Sequence, residues 1–143
     1  MRTDLLLQLA DLLESNSNNP KGAKFYFMDF GFTEEEGVAP GLDCGTTACA
    51  VGLAAISGLF PRLGFAHDAH EYTINITLDG VHEDGFKAAQ EAFEISYDDS
   101  CFLFANVPLK TQRGADAERE LAQVIRWFAG GKSHDEIMTA MGY

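Results

Sequence analysis

The sequence predicts a single, mostly helical α+β domain with a small antiparallel sheet and a C-terminal helical hairpin. Three observations predict it. Apolar residues recur at helical spacing near both ends of the chain, residues 72 to 78 alternate apolar with polar, and residues 48 to 59 are apolar on nearly every side. With 143 residues, 46% hydrophobic and 11% aromatic, the chain is long enough to bury one core and too short to divide into two.

Taken in order, Thr3 can cap a helix through about Glu14, whose apolar stripe is Leu5, Leu6, Leu9, Leu12 and Leu13. Residues 15 to 22 form a polar loop marked by Asn19-Pro20. The segment from Lys24 to Phe32 carries Phe25, Tyr26, Phe27, Phe30 and Phe32 and predicts an extended stretch laid over the core. An acidic loop with glycine and proline, Thr33 to Leu42, leads to Cys44. Thr46 or Thr47 then caps a helix from about Ala48 to Leu59, stopped by Pro61. Val51, Leu53, Ala54, Ile56 and Leu59 leave this helix almost no polar face, so it is expected to be buried on most sides. Residues 62 to 71 read as a loop. In the strand that follows, Tyr72, Ile74, Ile76 and Leu78 alternate with Thr73, Asn75 and Thr77, and its expected partner is the segment from Lys24 to Phe32. Asp79-Gly80 offers a turn, after which Phe86, Ala89 and Phe93 place a helix over Glu83 to Ile95. Asp98 or Asp99 is expected to cap a short helical turn through Phe104, ahead of Pro108. The final hairpin has Leu121, Val124, Ile125 and Phe128 on one helical face and a stop at Gly130-Gly131. Ser133 with Glu136 then forms a capping box for a last helix to Met141.

The stretch Cys44-Gly45-Thr46-Thr47-Ala48-Cys49-Ala50-Val51-Gly52-Leu53-Ala54 follows a CGTxACxxGxA pattern. Leucine-rich Leu5 to Leu13 and Phe27-Met28 precede it, and Leu103-Phe104 with Pro108 follow. In this arrangement the chain resembles a set of small bacterial and phage proteins that carry the same pattern in the same order. The resemblance covers most of the chain and implies a phage or prophage character. It implies no substrate, cofactor or catalytic residue.

The formal net charge is −12. Between Phe25 and Phe86 ten acidic residues stand against Arg62 alone, a balance of −9. A field of that sign repels phosphate backbones, so direct binding to nucleic acid or to an anionic membrane is not expected. The last two helices are similar to the first two of a helix-turn-helix, with Ile137 and Met141 in the packing positions. No recognition helix follows them, and the charge opposes DNA as well. No run approaches the roughly 20 apolar residues that cross a bilayer. Three cysteines, an odd number, without a secretory pattern predict free thiols in a cytoplasmic setting.

Two chemical readings of the cysteines and histidines compete with simple core packing. Cys44, Cys49, His67 and His70 have the ligand types of a tetrahedral zinc site, at spacings that match no common one closely. Asp43-Cys44-Gly45 before an apolar helix resembles the nucleophile segment of papain-like hydrolases, with His67, His70 or His82 as the base. Asp43 opposes a thiolate one residue away. Otherwise Cys44, Cys49 and Cys101 fill the core as small apolar side chains.

The expected function is therefore a non-enzymatic binding or inhibitor-type protein without a cofactor. It would present an acidic face of Glu34, Glu35, Glu36, Asp43, Asp79, Glu83 and Asp84 to a protein partner with a basic surface. The alternative is a cysteine-dependent hydrolase using Cys44.

Overall fold

The computed structural model describes residues 1–17, 24–25, 47–48, 50–68, 73–111 and 114–143, with the backbone alone at 24–25, 47–48, 67–68 and 73–75. Helix α1 (Thr3–Ser17) opens the chain, and the first strand pair is β1 (Lys24–Phe25) with β2 (Thr47–Ala48). Helix α2 (Ala50–Ser57) leads into a three-stranded sheet of β3 (Leu63–Asp68), β4 (Thr73–Leu78) and β5 (Val81–His82). Helices α3 (Gly85–Phe93), α4 (Tyr97–Cys101), α5 (Gly114–Ala129) and α6 (His134–Ala140) complete it. The fold is thus α+β and mostly helical, with a small antiparallel sheet and the expected C-terminal helical hairpin.

Leu6, Leu9, Ala10 and Leu13 of α1 are fully buried, as the leucine spacing predicts. They face α5, where Leu121, Val124 and Ile125 are equally buried, and this is the most extensive packing between any two elements. Arg126 of α5 reinforces the seam by pairing with Glu14 and, at 2.9 Å, with Asp11. At the other end of α1 the Arg2 N–H donates to the carbonyl of Phe93 at 2.8 Å, which joins α1 to α3. Phe93 is the aromatic hub of the core. Its ring meets Phe60 edge-on with centroids 5.6 Å apart and Phe104 at 6.1 Å.

The central helix begins at Ala50, two residues later than its capping pattern implies. Thr47 and Ala48 instead pair in parallel with Lys24 and Phe25, and the strand ladder occupies backbone that the helix would need. From Ala50 to Ala55 every residue is buried, so the all-round apolar composition does mark a core helix. Gly58, at φ 73°, ends it before Pro61 is reached. Leu59 consequently falls outside the helix and is 48% exposed, contrary to its expected burial.

Lys24 and Phe25 pair with Thr47 and Ala48, and the rest of the segment to Phe32 lies outside the described residues, while the strand at 73–78 pairs with residues 63–68, a partner not expected from the sequence. Those partner residues lie in the stretch read as a loop, where only Leu63 and Phe65 carry strand-forming apolar side chains. Asp79 and Gly80, at φ 53° and 85°, make a two-residue turn of the mirror-image type that matches strand twist. Val81 and His82 add a third strand before the helix starts. Helix α3 therefore begins at Gly85, capped by the Asp84 carboxylate, which accepts from the Phe86 N–H at 2.7 Å. Ser96, and neither Asp98 nor Asp99, caps α4 by accepting from the Asp99 N–H at 3.0 Å. Helix α4 runs straight into a π-helical turn, Phe102–Asn106, which turns Phe102, Leu103 and Phe104 into the core. The Ser133 and Glu136 capping box of α6 forms as the sequence implies, and Ile137 and Met141 are buried.

Candidate binding surface

Of the acidic residues singled out from the sequence, Asp79, Glu83 and Asp84 lie in described parts of the fold; Glu34, Glu35, Glu36 and Asp43 lie outside them. All three sit at the β4–β5 turn or just before α3. Asp79 follows β4 because a short polar residue tolerates the left-handed backbone that the turn requires. Its carboxylate accepts from Arg62 Nη2 at 2.8 Å and from Arg62 Nε at 3.1 Å. That pairing holds the Asp79 carboxyl below its ordinary range. Arg62 also donates from Nη1 to the carbonyl of Glu91 at 3.1 Å, so it fastens the sheet to α3. Glu83 accepts from the Asp84 backbone N–H at 3.0 Å, while Asp84 caps α3. Two of the three carboxylates thus have a local structural task, and Asp79 is already neutralised by Arg62.

The same accounting extends to the other arginines. Arg2 pairs with Asp4 at 2.9 Å and lies 3.8 Å from Glu94, and Arg119 pairs with Asp116. Each of the four described arginines is therefore engaged by a carboxylate of this chain. Glu91, Asp98 and Asp135 are exposed on α3, α4 and α6, and no described ion pair reaches them. Lys87, Lys110 and Lys132 are likewise exposed and in no described ion pair, so the acidic excess of the surface is the one that composition gives.

The candidate nucleophile Cys44 and the candidate ligands Cys49 and His70 lie outside the described residues; His67 is placed by its backbone on β3, and His82 is exposed on β5. Among the described residues no three His, Cys, Asp or Glu side chains converge as a metal site would require. Cys101 is a free, half-buried thiol at the end of α4.

Three arrangements escaped the sequence reading. Glu118 of α5 is 3% exposed and accepts a hydrogen bond from Asn16 of α1. Burial pushes its carboxyl up to about 7, against the opposing effect of the Asn16 bond. His134 stacks on Phe102 with centroids 4.0 Å apart and places Nε2 2.7 Å from an Asp99 oxygen, so α6 is held to the π turn. Third, Arg2, Leu5, Phe60, Pro61, Arg62, Ala92 and Glu94 line a cleft of about 200 Å³ beside the sheet. The Glu118 signal was present as a charged residue within the buried helical stripe of α5. The other two join residues more than 30 positions apart and leave no periodic mark.

Comparison with protein families, with curated proteins and with solved structures finds no match. The resemblance to small bacterial and phage proteins rests on the quoted pattern alone.

Proposed function

We propose that this protein is a non-enzymatic binding protein, of inhibitor type and phage character, that offers an acidic surface to a basic protein partner in the cytoplasm. The observation that carries the reading is the excess of acidic over basic residues. The chain carries 22 acidic against 10 basic residues, a net charge of −12, and pairing within the chain leaves that excess unchanged for solvent and partners. Such a field speeds encounter with a basic surface and opposes phosphate backbones. A partner that itself handles nucleic acid has the complementary charge. The test is capture from cell lysate at about 0.05 M and about 0.15 M salt, which changes electrostatic screening without unfolding the protein. A basic protein held at the lower salt and weakened at the higher is expected. Changing Glu34, Glu35, Glu36 and Glu83 to Gln together with Asp84→Asn, which preserves the helix cap, is expected to reduce that capture. Retention of nothing at either salt overturns the reading.

A further inference from the structure

The cleft beside the sheet draws on three separate parts of the chain. Arg2 and Leu5 come from its N-terminal end, Phe60 and Arg62 from the link between α2 and β3, and Ala92 and Glu94 from the end of α3. Hydrogen bonds fix each corner. The Arg2 N–H donates to the Phe93 carbonyl at 2.8 Å, Arg62 Nη1 to the Glu91 carbonyl at 3.1 Å, and the Leu63 N–H to the Phe60 carbonyl at 3.0 Å. Phe60 and Ala92 are buried and give an apolar floor, while the side chains of Arg2, Arg62 and Glu94 are 47%, 46% and 59% exposed and so reachable from solvent. At about 200 Å³ the cleft is smaller than the roughly 300 to 1,000 Å³ that holds a drug-sized molecule. It admits one small ligand.

Glu94 breaks two local rules where it lines this cleft. It ends α3 at φ 52° and ψ 52°, a left-handed backbone that suits glycine, and it sets a negative charge at the negative end of the helix dipole. Its 3.8 Å contact with Arg2 is longer than a charge-assisted hydrogen bond and offsets little of this. A residue held against its local preferences points to a function. Arg2 gives Nε and Nη2 to Asp4, and Arg62 gives Nε and Nη2 to Asp79 and Nη1 to Glu91, yet each guanidinium has more N–H donors than these bonds use. We infer that the cleft binds a free apolar α-amino acid of about leucine's size, with its ammonium on Glu94, its carboxylate on Arg2 and Arg62, and its side chain over Phe60 and Ala92. Charge selects the zwitterion. The net charge of −12 repels a simple carboxylate, and two guanidinium groups oppose a simple amine, whereas a ligand that carries both charges meets neither penalty. A residue at the end of a peptide has only one of the two charges, which favours the free amino acid. The site is separate from the acidic surface proposed above and does not depend on it.

The probe is L-leucine, titrated into the full chain while the backbone amides of Ala92 and Glu94 are followed by NMR. Saturable shifts with a Kd of about 0.1 to 1 mM are expected. L-leucinamide, which lacks the carboxylate, and N-acetyl-L-leucine, which lacks the ammonium, are each expected to bind about tenfold or more weakly. L-serine, which has both charges and little apolar surface, is expected to be weakened by a similar factor. Glu94→Gln is expected to weaken leucine about tenfold and to leave N-acetyl-leucine unchanged, and Arg2→Gln to weaken leucine and leave leucinamide unchanged. Glu94→Gly is expected to lose leucine while raising Tm by about 2 to 4 °C, because glycine suits the backbone there. A lower Tm in that variant would show that Glu94 is kept for stability and overturns the inference. No shift up to about 10 mM leucine, equal binding of leucine and its two blocked forms, or leucine binding unchanged in both Glu94→Gln and Arg2→Gln also overturns it. Should Arg2→Gln not fold, Glu94→Gln decides alone, since that side chain is exposed.

Discussion

Helices α1 and α5 and the β3–β4 pair are both two-element units, yet they are sealed differently. The helices share a fully buried seam and cover its rim with Arg126, Glu14 and Asp11, so that opposite charges meet within the chain. The strands bury Leu63 and Ile76 but leave Phe65, on the same face beside Ile76, 46% exposed. Burial on all sides supplies stability, and burial on one side leaves surface for recognition. In this protein the fully sealed seam and the partly exposed strand pair are different elements.

Substitutions can break or sharpen that contrast. The largest effect is expected at the hub, where Phe93→Ala removes a ring packed against Phe60 and Phe104 and costs about 3 to 5 kcal/mol in denaturant unfolding. A loss below about 1 kcal/mol would place the centre of the core elsewhere.

Next is Glu118, whose carboxyl stands at about 7 in the fold against an ordinary 4.5. The folded state therefore holds that proton more tightly than the unfolded chain does. Its contribution is fully present below about pH 4.5 and is lost as pH rises through about 7. Glu118→Gln, which keeps an acceptor for Asn16, is expected to stabilise the protein by about 1 to 3 kcal/mol at pH 8 and to converge with the parent near pH 5. Melting curves across that range check it, and an advantage that grows toward acid pH would contradict the assignment.

Arg126→Gln is expected to cost about 1 kcal/mol, with part of the loss screened by salt. Phe65→Thr, by contrast, is expected to change stability by less than about 0.5 kcal/mol, because the ring is half exposed and Thr suits a strand. A larger loss would mean that the Phe65 ring belongs with the core rather than with the exposed surface. The smallest expected effect is at Cys44, which should alkylate with iodoacetamide at pH 7 no faster than an ordinary thiol of pKa about 8.5. Rapid alkylation that persists down to about pH 6 would favour the hydrolase reading over the binding one.

The helices were legible in the sequence because their information is periodic. Leu6, Leu9 and Leu13, or Leu121, Val124, Ile125 and Phe128, declare a buried face without reference to anything distant. The partner of β4 was not legible. In residues 63 to 68, Leu63 and Phe65 alternate with Gly64 and Ala66, and these small residues blur an alternation that larger polar ones would have made plain. Gly64 is nonetheless suited to its place, since a Cβ there would come 3.0 Å from the Thr77 hydroxyl. Ser96, Asp98 and Asp99 are equally good caps by residue type, and Ser96 takes the position because its backbone is extended while Asp98 and Asp99 lie inside the helix. The candidate surface was legible as net charge only. Which carboxylates are free depends on where Arg62 and Arg126 reach, and those contacts bridge 17 and 115 positions of sequence.

The turn at Asp79-Gly80 also bears on the order in which this molecule assembles. Its two central residues already favour the left-handed backbone that joins β4 to β5, so the hairpin needs only local closure, an event of about 1 to 10 μs. The seam of α1 with α5 unites segments 102 positions apart at Asn16 and Glu118, and loop-closure entropy delays such contacts. Strands form early in this scheme and the helical seam closes late. In that order the strand edges are expected to be exposed before the core is complete, the condition under which folding chains in general associate.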